Sequence, residues 1–334
     1  MNDDAAPVVI AGGRGLVGSA LVARLRADGR AAIVLTRDAP GSGERQWDPR
    51  APDPALFDGA AAVVNLAGAN IGTRWTSAAR RAIRASRVDA TRRLVEAIAR
   101  AARPPRVLIA ASAVGFYGER GDEPLTESSA PGHGFLADLT TEWERAAAAA
   151  ESHGARVARL RFGLVLAPHG GALDRMMPLF RLGLGGPIGS GKQWWSWIAI
   201  DDLVEILRAA IGDGGFAGPL NAVAPEPVRM REFARTLGRV LSRPALLPVP
   251  GFALRLVFGA MAGETLLASQ RVTPCRLIER GWAFRHPALE GALRHLLRRD
   301  RARDDAGWSP ERRARTGDGG TPPERRARTD DVVP

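Results

Sequence analysis

The sequence predicts an α/β fold: a doubly wound, Rossmann-type parallel sheet with a smaller C-terminal substrate domain. Strand-like and helix-like segments alternate through the first half of the chain, as a parallel sheet covered on both faces requires. The chain also begins with an apolar run, 8–11, that breaks into closely spaced glycines and continues as an amphipathic helix. That order of segments is typical of a dinucleotide-binding turn.

Each further element is predicted from its own pattern. The first helix is indicated by Val17, Leu21 and Leu25, which are apolar at four-residue steps. Gly29 ends that helix. Four further strands are predicted. One covers 31–36, one ends near Leu66, one ends at Ser112, and one covers 156–162. Helices are predicted at 75–100, 135–153, 201–213, 230–241, 251–260 and 287–297.

This order of elements divides the chain into domains. Residues 1–165 form the predicted cofactor domain, and its sheet is completed by about 196–225. Residues 166–195 and 226–297 form the predicted substrate domain. The last segment, 298–334, contains few apolar residues and repeats an arginine-rich motif. We expect a disordered, dispensable tail there, with a basic interaction arm as the alternative.

The three glycines of the first turn predict a phosphate site. Gly12 permits the tight bend, Gly15 lets the backbone approach a pyrophosphate, and Gly18 lets the helix pack closely on the sheet. The amide groups at the helix N-terminus then face the phosphates. The predicted cofactor-binding residues are Gly12, Gly13, Arg14, Gly15, Leu16, Val17, Gly18, Arg37, Asn65, Ala67 and Gly68.

The residue after the second strand indicates which dinucleotide binds. NAD-binding proteins usually place a carboxylate there, whereas the 2′-phosphate of NADP requires a cation. Arg37 occupies this position, and Arg14 in the glycine turn could bind the same phosphate. NADP(H) is therefore favoured over NAD(H). Asp38 keeps NAD open, and both arginines could instead be solvated surface charges in this arginine-rich chain.

Longer motifs extend the pattern beyond the glycine turn. They are G-x-x-G-x-x-G at 12–18, N-x-A-G at 65–68, F-Y-G at 116–118, P-L-T-E at 124–127, W-E at 143–144, R-F-G-L-V-L at 161–166, G-K-Q-W-W-S-W-I at 191–198, N-A-V-A-P-E-P-V at 221–228, R-P-A-L-L-P-V-P-G-F-A at 243–253 and S-Q-R-V-x-P at 269–274. Over roughly residues 7 to 297 the chain resembles the atypical epimerase family of YfcH-like proteins, a branch of the extended short-chain dehydrogenases/reductases. The resemblance implies NAD(P)-dependent oxidoreduction or epimerisation of a small substrate that carries a hydroxyl or carbonyl group.

The same resemblance implies a catalytic set that this chain has only in part. Such enzymes use a serine at the end of the fourth strand and a Tyr-x-x-x-Lys pair on the next helix. Ser112 fits the serine, but the helix at 135–153 contains neither tyrosine nor lysine. Tyr117 is the candidate acid. Without a neighbouring cation, its pKa is expected to stay at the value of a free tyrosine, about 10. Asp138 is the candidate base, provided that it is partly buried.

Plain structural interpretations of these residues stay open. Ser112 could be a satisfied strand-end hydroxyl, Tyr117 could pack the floor of the cleft, and Asp138 could be a helix-surface charge. Glu127 could contact substrate or cap a turn. The group of Trp194, Trp195 and Trp197 is more typical of a core or a cleft wall. Because the Tyr-x-x-x-Lys pair is missing, the alternative function is a non-catalytic NADPH-binding sensor.

Composition excludes several other classes of function. The net charge of +11 reflects abundant arginine, and no nucleic-acid motif accompanies it. The single cysteine, Cys275, cannot form an internal disulfide, and the five histidines are far apart in sequence, so no metal site is expected. No apolar run is long enough to span a bilayer, and the N-terminus lacks signal-peptide features, so a cytoplasmic location is expected. The expected partner is a small-molecule substrate, without nucleic acid or membrane, and the oligomeric state is left open.

Overall fold

A computed structural model describes residues 6–305, with side chains described through residue 298. The strands are β1 Val8–Ala11, β2 Ala32–Thr36, β3 Glu44–Gln46, β4 Ala62–Asn65, β5 Val107–Ala113, β6 Pro124–Leu125, β7 Arg156–Phe162, β8 Leu164–Leu166, β9 Trp194–Trp195, β10 Trp197–Ala199, β11 Gly218–Ala222, β12 Val228–Arg229 and β13 Arg271–Val272. The helices are α1 Leu16–Ala27, α2 Ser77–Arg84, α3 Ala90–Ala99, α4 Phe135–Ala148, α5 Gly171–Arg181, α6 Ile200–Gly212, α7 Met230–Leu241, α8 Gly251–Phe258, α9 Ala260–Glu264, α10 Cys275–Glu279 and α11 Leu289–Asp305.

A seven-stranded sheet organises the fold, and the predicted Rossmann-type architecture is confirmed. Its strand order is β11-β7-β5-β4-β1-β2-β3, and every neighbouring pair is parallel. The chain runs outward from β1 in one direction through β2 and β3, and in the other through β4 and β5. Ligands of such sheets bind beyond the strand ends at this switch point. The loops after β1 and β4 therefore frame the candidate site.

Both faces of the sheet are buried by helices. One apolar cluster joins Ile10 of β1 with Leu21 of α1 and Leu203 of α6, and it continues into the C-terminal half through Phe233 and Leu293. A second cluster, on the other face, joins Val9 and Val63 with residues of α3. Because alternate side chains of a strand point to opposite faces, the continuous apolar runs of β1 and β4 supply both clusters.

The predicted elements at 156–162 and 230–241 match β7 and α7. The predicted helix at 75–100 is interrupted: a π-helical turn, Ala85–Asp89, separates α2 from α3. The helix at 135–153 ends in a 3-10 turn, Ala149–His153. Strand β3 was not predicted because it is short and polar, and α5 was not predicted because it begins at a glycine and contains Pro178.

The start of the predicted tail at 298 was wrong, since α11 continues to Asp305. Leu296 and Leu297 anchor this helix in the core, and arginine and alanine in the following turns favour helix. The rest of the tail prediction concerns 306–334, outside the described residues. Within the described part of the chain, no helix is long and apolar enough to cross a membrane.

Candidate functional site

Close packing explains two of the glycines in the first turn. Gly12 has φ +82°, and a Cβ there would lie 2.7 Å from the carbonyl carbon of Leu66 in the loop after β4. A Cβ at Gly18 would lie 2.2 Å from the oxygen of Gly12. Real Cβ atoms do not approach backbone so closely, so any larger residue would displace the turn. These glycines hold α1 against β1 and the β4 loop.

Gly15 has a different environment. A Cβ there would meet only the oxygen of Gly12, at 3.2 Å, and the residue is exposed. Gly15 is the N-cap of α1, and no side chain caps the helix. The amides of Leu16 and Val17 therefore lack the intrahelical acceptors that later amides have. An open backbone approach with uncapped amides fits a phosphate group.

The structure gives Arg14 partners that the sequence did not indicate. Its guanidinium donates to Glu44 Oε1 at 2.9 Å and Oε2 at 2.6 Å, and to Asp38 Oδ2 at 3.0 Å. The hydrogen bond from Arg14 lowers the pKa of Glu44 to about 2. Glu44 lies on β3, beside β2, and this strand was not predicted. Arg14 is thus paired with two carboxylates in this structure, and its role as a phosphate ligand stays a prediction.

Arg37, by contrast, is an exposed cation at the end of β2. Among the described residues, no carboxylate forms an ion pair with it. It lines an open cavity of about 490 Å³, together with Gln46, Trp47, Asp48, Pro49 and Arg50. Two arginines and one aspartate thus line one cavity at the edge where the adenosine end of a dinucleotide is expected.

Asn65 and the loop after it complete this side of the site. Asn65 is buried; its amide nitrogen donates to Thr91 Oγ1 at 2.9 Å, and its Oδ1 accepts from the Ala67 amide at 3.3 Å. These bonds fix the shape of the loop that Gly12 touches. A Cβ at Gly68 would lie 2.8 Å from Cζ of Arg87, so a guanidinium lies directly against this loop.

Sequence reasoning missed Arg87. It lies on the π-helical turn between α2 and α3, and such turns are frequent at functional sites. Burial lowers its pKa to about 10, yet within the described chain no carboxylate pairs with it. Its guanidinium lies 5.4 Å from the ring centroid of Trp143. A desolvated cation without a counter-ion beside the β4 loop is suited to hold an anionic ligand. No pattern in the sequence separates Arg87 from the other arginines of the chain.

Ser112 belongs to a buried ionic network. Its Oγ donates to Glu144 Oε1 at 2.7 Å. Arg161 binds both carboxylate oxygens of Glu144, from Nε at 2.7 Å and from Nη2 at 2.9 Å. All three residues are less than a tenth exposed. The serine hydroxyl is thus oriented by a carboxylate on α4, the helix in which the resemblance placed a tyrosine and a lysine.

Tyr117 is held in the same network and is 0% exposed. Its hydroxyl oxygen lies 2.7 Å from Asn221 Oδ1 and 2.9 Å from the carbonyl oxygen of Thr126, and it accepts from Arg161 Nη1 at 2.8 Å. The expected absence of a neighbouring cation was therefore wrong. The expected ordinary pKa was wrong as well, because burial raises the pKa of Tyr117 although Arg161 opposes the shift. The geometry matches the packing interpretation.

Asp138 lies in the first turn of α4 and is exposed. The partial burial on which its proposed role as base depended is absent. Glu127 is buried; its Oε1 accepts from the Asn221 amide at 3.0 Å, and the Arg276 amide lies 3.4 Å from it. It therefore joins β11 to the first turn of α10. Trp195 and Trp197 are buried in the core, whereas Trp194 is half-buried.

Comparisons with known proteins agree with this geometry. The model of the NAD dependent epimerase/dehydratase family matches residues 8–219, and a domain of unknown function, DUF1731, matches residues 249–296. Epimerase family protein Mb2239 of Mycobacterium bovis is 43% identical over 298 residues, covering 88% of this chain and 98% of the relative. The human epimerase family protein SDR39U1 is 37% identical over 294 residues, covering 87% and 99%.

Solved structures give the same result. The crystal structure of human SDR39U1 (isoform 2) with NADPH superimposes with a TM-score of 0.80 at 35% identity, covering 87% of this chain and 99% of that one. A nucleoside-diphosphate sugar epimerase from Corynebacterium glutamicum gives 0.74 at 38% identity, covering 94% and 65%. With the glycine turn at the switch point of a parallel sheet, these matches place the chain in the NAD dependent epimerase/dehydratase family.

Proposed function

We propose that this protein binds NADP(H) and uses it to oxidise, reduce or epimerise a small substrate that carries a hydroxyl or carbonyl group. The observation that best supports this proposal is the glycine turn after β1, at the switch point of the sheet. Gly12 and Gly18 are closely packed in this turn, whereas the space beside Gly15 is open. The space at Gly15 is not filled by the protein's own packing. Support comes from human SDR39U1, which is similar over nearly its whole length and was crystallised with NADPH.

The roles of the cofactor-binding residues follow from their positions. The amides of Leu16 and Val17 bind the pyrophosphate, and Arg37 binds the 2′-phosphate, because it is the unpaired cation at the end of β2. Arg87 neutralises a further anionic group beside Gly68. When bound, the dinucleotide supplies or accepts a hydride. Arg14 holds the turn to β3 through Glu44 and Asp38.

Ser112 is the proposed polar group at the reacting end. Its hydroxyl hydrogen is directed at Glu144, so its oxygen can accept a hydrogen bond from a substrate hydroxyl. Glu144 and Arg161 hold this orientation from the core. Tyr117 is proposed to position Arg161 rather than to exchange protons, since every face of its hydroxyl is bonded.

One observation favours the second candidate, a non-catalytic NADPH-binding sensor. Tyr117 is fully buried, and α4 provides no tyrosine or lysine in its place. Cofactor occupancy would then change a contact with another molecule instead of driving a reaction. The two candidates share the cofactor site and differ in the role of Ser112.

Cofactor preference tests the NADP(H) site, which both candidate functions share. The protein should bind NADPH at least several-fold more tightly than NADH, and Arg37→Asp should weaken NADPH binding by roughly 10- to 100-fold, because a charge-assisted bond worth about 1.5–3 kcal/mol is lost. Calorimetric titration with both dinucleotides measures this. Arg106→Asp is the matched control. Arg106 is also exposed, but it precedes β5, so it lies at the opposite edge of the sheet from Arg37, which follows β2. Equal NADPH and NADH affinities in the unmodified protein would refute the proposal.

Ser112→Ala separates enzyme from sensor. In the enzyme it should lower kcat on any substrate found by about 10²-fold, because the hydroxyl that orients the substrate is lost, while NADPH affinity stays unchanged. Tyr117→Phe should lower thermal stability, because Arg161 and Asn221 lose a buried partner, and should leave kcat nearly intact. A broad metabolite screen with no turnover would favour the sensor, whereas full activity in Ser112→Ala would show that Ser112 does not carry the reaction.

Three finer expectations stay proposals. The motif order still favours the YfcH-like branch within the family. A cytoplasmic location remains our expectation, although one relative, from Arabidopsis thaliana, is described as chloroplastic. A small molecule, without nucleic acid, remains the proposed partner.

A further inference from the structure

Two histidines that are not part of the candidate site meet beside an aspartate. The rings of His286 and His295 stack with centroids 4.4 Å apart and planes inclined by 28°. Asp201 Oδ2 lies 3.1 Å from His295 Nε2. One possible ligand atom from each of the three residues lies within 4.8 Å of the others. Local sequence patterns do not indicate this cluster, because Asp201 lies 94 residues before His295.

Packing fixes each member of the cluster. Asp201 lies in the first turn of α6, between buried Ile200 and buried Asp202. His295 lies on α11, which is anchored in the core by its leucines. The cluster is therefore preorganised on two helices.

The loop that carries His286 is also fixed. The backbone amide of His286 donates to Asp202 Oδ2 at 3.0 Å, and the backbone amide of Arg285 donates to Asp202 Oδ1 at 2.7 Å. Asp202 is 1% exposed, so this carboxylate is a buried anchor for the loop. The backbone at His286 is therefore held against α6.

We propose that His286, His295 and Asp201 bind a divalent transition-metal ion of the Zn²⁺ class. Two imidazole nitrogens and one carboxylate oxygen form a donor set that suits such ions. Mg²⁺ and Ca²⁺ prefer ligand sets made of oxygen atoms. The side chains of His295 and Asp201 are 35% and 23% exposed, so an ion can enter and water can complete its coordination. The bound ion would join α11 to the start of α6. A metal ion here would depart from the expectation of no metal site, and it is independent of the proposed cofactor chemistry.

Titration of the full chain with ZnCl₂ after EDTA treatment tests the site. Calorimetry should give one ion per chain, and saturating Zn²⁺ should raise the Tm by about 3 °C or more. His286→Ala and His295→Ala should each weaken binding by about tenfold or more. Asp201→Asn, which keeps the shape of the side chain, should weaken it as well. His153→Ala is the matched control, because His153 is exposed on a different part of the fold.

An anomalous-scattering map at the zinc edge gives a second measurement that does not depend on any variant. Its peak should lie between His286 and His295. Absence of saturable binding, an equal loss of affinity in His153→Ala, or a peak elsewhere would overturn the proposal.

Discussion

Arg161→Met is expected to lower the free energy of unfolding by about 3–5 kcal/mol, because it leaves a charged partner of a buried ion pair without compensation. Glu144 is 7% exposed and would keep only the hydroxyl of Ser112 as a donor. The substitution also removes the guanidinium that lies 3.5 Å from the ring centroid of Phe116. Urea unfolding should detect the loss, with a fall in Tm of roughly 5–10 °C.

Two further variants identify the cause. Arg92→Met removes an arginine from an exposed pair with Asp89, 3.5 Å apart, and should cost less than about 1 kcal/mol. Glu144→Leu combined with Arg161→Met removes both charges and should recover much of the loss, since a buried ion pair adds little net stability over apolar packing. If Arg161→Met costs no more than Arg92→Met, the buried pair does not support the fold.

That network marks the limit of what the sequence could predict. The segments around β1, β7 and α7 were predictable because apolar periodicity determines which face of an element is buried. Ser112, Glu144 and Arg161, however, lie on β5, α4 and β7. The parallel pairing of β5 with β7 places Ser112 opposite Arg161, and the packing of α4 on these strands adds Glu144. Local patterns do not encode contacts across a sheet. The cation beside Tyr117 was missed for this reason.

The cofactor half was more predictable, because its signals are local. The glycine turn, the cation after β2 and the loop after β4 each stand next to the strand that positions them. Arg14 is the exception: Glu44 lies thirty residues further on, on a three-residue strand whose polar sequence gave no signal. Arg87 was missed because a π-helical turn cannot be distinguished from α-helix by apolar spacing.

Gly18→Ala should impair both the fold and cofactor binding. Alanine normally stabilises a helix interior over glycine by about 1 kcal/mol. Here the new Cβ would lie 2.2 Å from the Gly12 oxygen and 2.7 Å from the Gly13 Cα, so backbone must move. We expect a net loss of roughly 1–3 kcal/mol in unfolding free energy, as for overpacked sites. NADPH affinity should fall by about tenfold or more, because the displaced turn carries the amides proposed to bind the pyrophosphate.

Two other glycines separate stability from binding. Gly291→Ala, on α11, is the matched control: its Cβ would meet nothing within 4 Å, so this variant should gain up to about 1 kcal/mol and bind NADPH normally. Gly15→Ala should change stability little, since its Cβ would touch only the Gly12 oxygen at 3.2 Å. It should nevertheless weaken NADPH binding strongly, because that space is where the phosphate is proposed to lie. Thermal unfolding and calorimetry on the three variants distinguish these effects, and unchanged NADPH affinity in Gly15→Ala would mean that the dinucleotide does not use this turn.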